Sequence, residues 1–104
     1  MKLLTQEILK KLPKIGATED LPDEQKRVYA KFFNPTGAGS WYAIEFDPAE
    51  KLFFGYANIL EGEVGYFSLD ELQSFKGRFG LGIERDLHWN DKTTLADVIA
   101  GRAR

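Results

Sequence analysis

The chain has 104 residues, enough for one domain and too few for two. Hydrophobic residues make up 43% and charged residues 29%, the balance of a chain that folds on its own rather than a disordered one. With 14 Lys and Arg against 16 Asp and Glu it lacks the basic surface of a sequence-independent nucleic-acid binder, and having no cysteine it cannot form disulfides, thiolate metal sites or a cysteine nucleophile.

The first residues, Met1 to Glu7, lack the apolar run that a signal peptide needs, and no later stretch has the ~18 apolar residues of a membrane span. A cytoplasmic location is expected. Thr5 is placed to cap a short helix running to about Leu12, with Leu4 and Leu9 at the two staple positions and Ile8 and Leu12 extending the apolar stripe. Pro13 restricts Leu12 and ends the helix there. Lys2, Lys10, Lys11 and Lys14 make this segment basic, whereas Glu19, Asp20, Asp23 and Glu24 make the following loop acidic.

Four strands are expected over Arg27–Phe33, Ser40–Phe46, Leu52–Ile59 and Glu63–Phe67. Asn34-Pro35, Asp47-Pro48 and Glu61-Gly62 mark the turns between them, and connections this short favour an antiparallel meander. Ser68 and Glu71 form a capping-box pattern that opens a second helix to about Phe75, burying Leu69, Leu72 and Phe75. A Gly-rich turn, Gly77 to Gly82, leads into an extended piece from Ile83 to Trp89, a fifth strand if it joins the sheet. Thr94 then caps a last helix over Leu95–Ala100, with Gly101 past its end. The expected fold is therefore a single α+β domain: a strongly curved, mainly antiparallel sheet of four strands or five, with about three short helices.

Each of the four strands carries two adjacent aromatics: Phe32-Phe33, Trp41-Tyr42, Phe53-Phe54 and Tyr66-Phe67. Neighbouring side chains in a strand point to opposite faces, so both faces of the sheet are aromatic. Four strands present a face of roughly 400 Å², and three short helices cover about 360 Å², enough for one face only. The second must be closed by curling of the sheet, by loops or by another molecule. Phe33, Trp41, Tyr42, Phe53 and Tyr66 are accordingly candidate partner-binding residues, for a protein partner or for self-association. Stacking of single-stranded nucleic acid on these rings is disfavoured by the net charge.

Glu84, Asp86 and His88 alternate in the last extended piece and would share one face of it, a set that could bind a divalent metal or transfer protons. A solvated strand face, or a structural pairing of Arg85 with a carboxylate, explains the same alternation. No cofactor is expected: Gly77 to Gly82 lacks the Gly-Lys-Ser/Thr ending of a phosphate loop and the glycine spacing of a dinucleotide fold. With one histidine and nothing placing a serine beside it, a serine triad is not indicated either.

Several blocks together resemble the bacterial domain-of-unknown-function family twenty-nine fifty-eight. They are Leu3-Leu4-Thr5, Leu12-Pro13, Lys31-Phe32-Phe33, Trp41-Tyr42-Ala43, Phe53-Phe54-Gly55, Gly65-Tyr66-Phe67-Ser68-Leu69 and Ile83-Glu84-Arg85-Asp86-Leu87-His88. The resemblance implies a short cytoplasmic protein carried on plasmids, phages or other mobile elements, without an established activity. Two functions follow as expectations. The first is a non-enzymatic accessory protein that binds a protein partner and modulates host machinery. The second is a small metal-dependent enzyme acting on nucleic acid or nucleotides through Glu84, Asp86 and His88.

Overall fold

Three hydroxyl side chains start the three helices. Thr5 Oγ1 accepts from the Ile8 N–H ahead of α1 (Gln6–Lys11), and Ser68 Oγ accepts from the Glu71 N–H ahead of α2 (Leu69–Ser74). Thr94 and Asp97 form a reciprocal capping box at α3 (Leu95–Ile99). Each cap satisfies backbone donors that a helix of one or two turns has few other ways to satisfy. The computed structural model describes residues 1–103.

Five strands, β1 (Ala30–Phe33), β2 (Ser40–Asp47), β3 (Leu52–Asn58), β4 (Gly62–Ser68) and β5 (Glu84–Arg85), form one antiparallel sheet in the order β4-β3-β2-β1-β5. The fold is α+β, and its first four strands are the expected meander. The sheet is open, with β4 and β5 at its edges, and it does not curl strongly upon itself as the aromatic pairs had suggested.

The pairs do divide across the sheet. Phe32 pairs with Trp41 in register, and Phe53 lies between Phe46 and Phe67, all on one face. Their rings pack at 4.6 to 5.4 Å between centroids around Phe53. Helix α1 brings Ile8 and Leu9 to this core and α2 brings Leu69 and Leu72, joined by Leu3 and Ile83. A β-bulge at Ile44 shifts the register between Ala43 and Glu45, so Ile44 and Glu45 both leave this face.

On the opposite face a second, smaller core gathers Val28, Ile44 and Leu95, with Tyr42, Tyr56, Trp89 and Val98 packed against it. Here the sequence-based expectation needs correction. The helices do not all cover one face: α1 and α2 lie on the first, and α3 with the Trp89 loop on the second. Trp89 is tied down by its indole N–H, which donates to the Val28 carbonyl at 2.8 Å.

Glu45 fastens the rest of the second face. It is 2% exposed, and its carboxylate accepts from the backbone N–H groups of Gly16 (2.7 Å) and Thr18 (2.8 Å) and from the Thr18 hydroxyl. A buried carboxylate is tolerable only with such partners. It pins the connection after α1 onto the sheet, and the Phe46 N–H donation to the Pro13 carbonyl anchors the same segment.

Candidate partner-binding cleft

Two clefts open on the surface beside the candidate residues. The first is polar, about 270 Å³, and lies between α1 and the turn that follows β5. Asp91 crosses its edge: its carboxylate meets Lys11 Nζ at 2.8 Å and Arg27 Nη2 at 3.4 Å. The hydrogen bond from Lys11 holds the Asp91 carboxyl below its ordinary value, and the same bond raises the Lys11 ammonium. Arg85 lines this cleft too, but its guanidinium is engaged by the backbone carbonyls of Lys2 and Leu3. The charges here are largely spent on one another and on the backbone.

This region contains the residues proposed for metal or proton chemistry, and their geometry differs from the expectation. The extended piece stops at Arg85. Asp86 Oδ1 accepts from the His88 N–H at 2.9 Å, and the Trp89 N–H reaches back to the Asp86 carbonyl, so the chain turns instead of running straight. Alternation places residues on one face only while the backbone stays extended, and Glu84, Asp86 and His88 lose it. Of the three, only Asp86 lines the polar cleft. Among the described residues, no three His, Asp or Glu side chains are grouped so as to hold a metal ion.

The second cleft is apolar, about 360 Å³, and opens on the first face of the sheet. Trp41 and Phe67 come to it from β2 and β4, Leu72 and Phe75 from α2 and its end, and Ile59 from the β3–β4 turn. Asn34, Ser68 and Glu71 add polar atoms at its margin. Two of its apolar walls are open to solvent: Ile59 is 51% and Phe75 40% exposed. Beside Ile59, Leu60 is 95% exposed. The loop after Phe75 folds back through a Gly77 N–H donation to the Leu81 carbonyl, and it carries Phe79, 91% exposed.

Phe79 also sits at φ 59°, in the left-handed region. A bulky residue there costs about 1–2 kcal/mol, and the exposed ring gains no burial in return.

The five aromatics expected to meet a partner separate into distinct environments. Phe53 is not available to any partner, because its ring is 0% exposed at the centre of the larger core. That is a correction. Trp41 is half-buried and lines the apolar cleft. Tyr42 is held in the second core by Trp89 and Tyr56, with Lys31 Nζ 5.7 Å from its ring centroid. Phe33 is half-buried on the second face. Tyr66 is 62% exposed there and makes an edge contact with Phe54 at 5.3 Å.

Sequence reasoning missed Ile59, Phe75 and Phe79 as surface groups and Glu45 as a buried one. A signal existed for two of them. Ile59-Leu60 are apolar residues in a tight turn, and Phe79 stands between glycines, where turn chemistry calls for polar side chains. Glu45 gave no signal, since its burial depends on the bulge one residue before it.

An open five-stranded antiparallel sheet with three short helices and an exposed apolar cleft defines a small α+β protein. The chain belongs to a family described as protein of unknown function (DUF2958), whose model matches residues 3–104. No curated protein and no solved structure matches it significantly.

Proposed function

We propose that this is a non-enzymatic binding protein that takes apolar side chains of a protein partner into the Trp41 cleft. One observation carries the reading. An apolar cavity lined by a half-buried tryptophan has Ile59 and Phe75 exposed in its wall, and the segments that follow these two carry the exposed Leu60 and Phe79. Aromatic and apolar anchors packed into a desolvated pocket are the usual energetic centre of a protein interface. In the mobile-element setting that the family resemblance implies, the partner would be a component of host machinery.

The test uses Ile59 in the cleft wall and Phe79 in the loop after Phe75, exposed residues outside the core. Ile59→Asp and Phe79→Gly are expected to leave the fold intact, and Phe79→Gly to hold or raise the melting temperature, since glycine adopts φ 59° without strain. Both should abolish or weaken, by about tenfold or more, capture of a stoichiometric protein partner from host lysate. Tyr66→Ser, on the other face, should leave capture unchanged. Partner capture insensitive to Ile59→Asp and Phe79→Gly would overturn the reading, as would the absence of any stoichiometric partner.

A further inference from the structure

The two edges of the sheet are treated differently. At one end β5 is only two residues long, and the N-terminal segment covers it: the Arg85 N–H meets Met1 Sδ and the Arg85 guanidinium is held by the Lys2 and Leu3 carbonyls. Short length and cover are two standard ways of blunting an edge. At the other end β4 runs seven residues, Gly62 to Ser68, in continuous register with β3 and without a bulge. It contains no proline, no lysine and one charge, Glu63, and Gly62, Glu63, Val64 and Tyr66 are exposed. Apart from that one carboxylate, this edge has none of the usual protection.

Which backbone groups point outward follows from the ladder. The Leu69 N–H donates to the Lys51 carbonyl at 3.0 Å, one step beyond the Leu52–Ser68 pair. Antiparallel pairs alternate between hydrogen-bonded and non-hydrogen-bonded. Phe67, Gly65 and Glu63 therefore bond to β3, and the N–H and C=O groups of Gly62, Val64, Tyr66 and Ser68 face away from the sheet.

That pattern is self-complementary about Gly65. We infer that β4 is a homodimer edge: two copies pair β4 to β4 antiparallel, with Gly65 on the two-fold axis, into one ten-stranded sheet. In this register Val64 lies opposite Tyr66 of the second copy and Gly62 opposite Ser68, so every outward backbone group meets an outward partner. The Val64–Tyr66 contact is an aromatic–β-branched pair of the favourable cross-strand kind and extends the Phe54–Tyr66 row across the junction. The charge also fits, because Glu63 faces Phe67 rather than a second Glu63. With the β5 edge covered, pairing closes at two copies instead of propagating as a fibre.

The chain has no cysteine, which makes the register directly testable. A Cβ at Gly65 would have nothing within 4 Å, so Gly65→Cys fits the folded chain. Across a non-hydrogen-bonded antiparallel pair the Cα atoms lie about 4.5 Å apart, within disulfide reach. Mild oxidation of Gly65→Cys should give a covalent dimer, whereas Glu63→Cys, whose opposite position is Phe67, should stay largely uncrosslinked. Sedimentation velocity of the unmodified purified chain should show a concentration-dependent monomer–dimer equilibrium, and Val64→Lys should raise the concentration for half-association about tenfold. A chain that stays monomeric at every concentration, a dimer indifferent to Val64→Lys, or equal crosslinking at positions 63 and 65 would overturn the inference. These measurements read self-association of the purified chain and need no partner of the Trp41 cleft, with which the dimer edge shares only Phe67 and Ser68.

Discussion

Replacing Glu45 with glutamine keeps the shape of the side chain and removes its charge and one of its two acceptor oxygens. In the native fold one oxygen accepts from Gly16 and the other from the N–H and hydroxyl of Thr18. Glutamine can keep the Thr18 contacts only as weaker neutral bonds, and its amide nitrogen then faces the Gly16 N–H, donor against donor. A buried donor left without a partner costs about 1–3 kcal/mol, and bonds to a charged group exceed neutral ones by about 1 kcal/mol. Glu45→Gln should therefore cost about 2–3 kcal/mol, and Glu45→Ala, which removes all three bonds, about 3–5 kcal/mol. For a domain of this size each kcal/mol lowers Tm by about 4–8 °C, so the glutamine variant should melt roughly 10–20 °C lower. Urea unfolding followed by tryptophan fluorescence measures the difference, and a cycle with Thr18→Val should be strongly non-additive. A glutamine variant within about 0.5 kcal/mol of the parent would refute the claim that this carboxylate holds the connection after α1 to the sheet.

The Lys11–Asp91 contact makes a pH prediction. Asp91 is lowered from 3.8 mainly by the Lys11 hydrogen bond, so its contribution is present above that value and is lost as pH falls through the folded pKa. Lys11 is raised from 10.5 mainly by Asp91, so its contribution is lost only as pH rises through a folded value above 10.5. NMR titration should place the Asp91 midpoint below 3.8, and Lys11→Met should return most of that displacement; no movement on substitution would show that Lys11 is not the cause. A pair of glycines opposite one another on β3 and β4 should behave oppositely. Gly55→Ala would bring a Cβ to 1.9 Å from the Tyr42 carbonyl oxygen and should abolish folding or cost more than about 3 kcal/mol. Gly65→Ala meets nothing within 4 Å and should change Tm little, and comparable melting of the two would contradict the close approach of β2 to β3.

The capping hydroxyls Thr5, Ser68 and Thr94, the turns at Asn34-Pro35 and Asp47-Pro48 and the alternation of four aromatic pairs were all legible locally. They yielded element boundaries within a few residues, because capping, turn formation and strand alternation depend on neighbours close in sequence. The same locality explains the failures. Alternation put Glu84, Asp86 and His88 on one face on the premise of an extended backbone, and the Asp86–His88 turn removes that premise. Helical spacing assigned Phe75 to the core, but the core there is already filled by Leu69 and Leu72, and Phe75 is left at the rim of the cleft.

What the sequence by itself determined was the set of elements, their antiparallel order through the first four strands, and the fact that both faces of the sheet would be apolar. Tertiary structure alone decided how that apolar surface was divided. It sent α1 and α2 to one face and α3 to the other, buried Phe53, left Trp41 at a cleft, and turned Glu45 inward beside the bulge. The reason is that burial is a property of pairs of surfaces. A residue's spacing says which way it points along its own strand or helix, but which distant segment arrives to cover it depends on the packing of the whole chain.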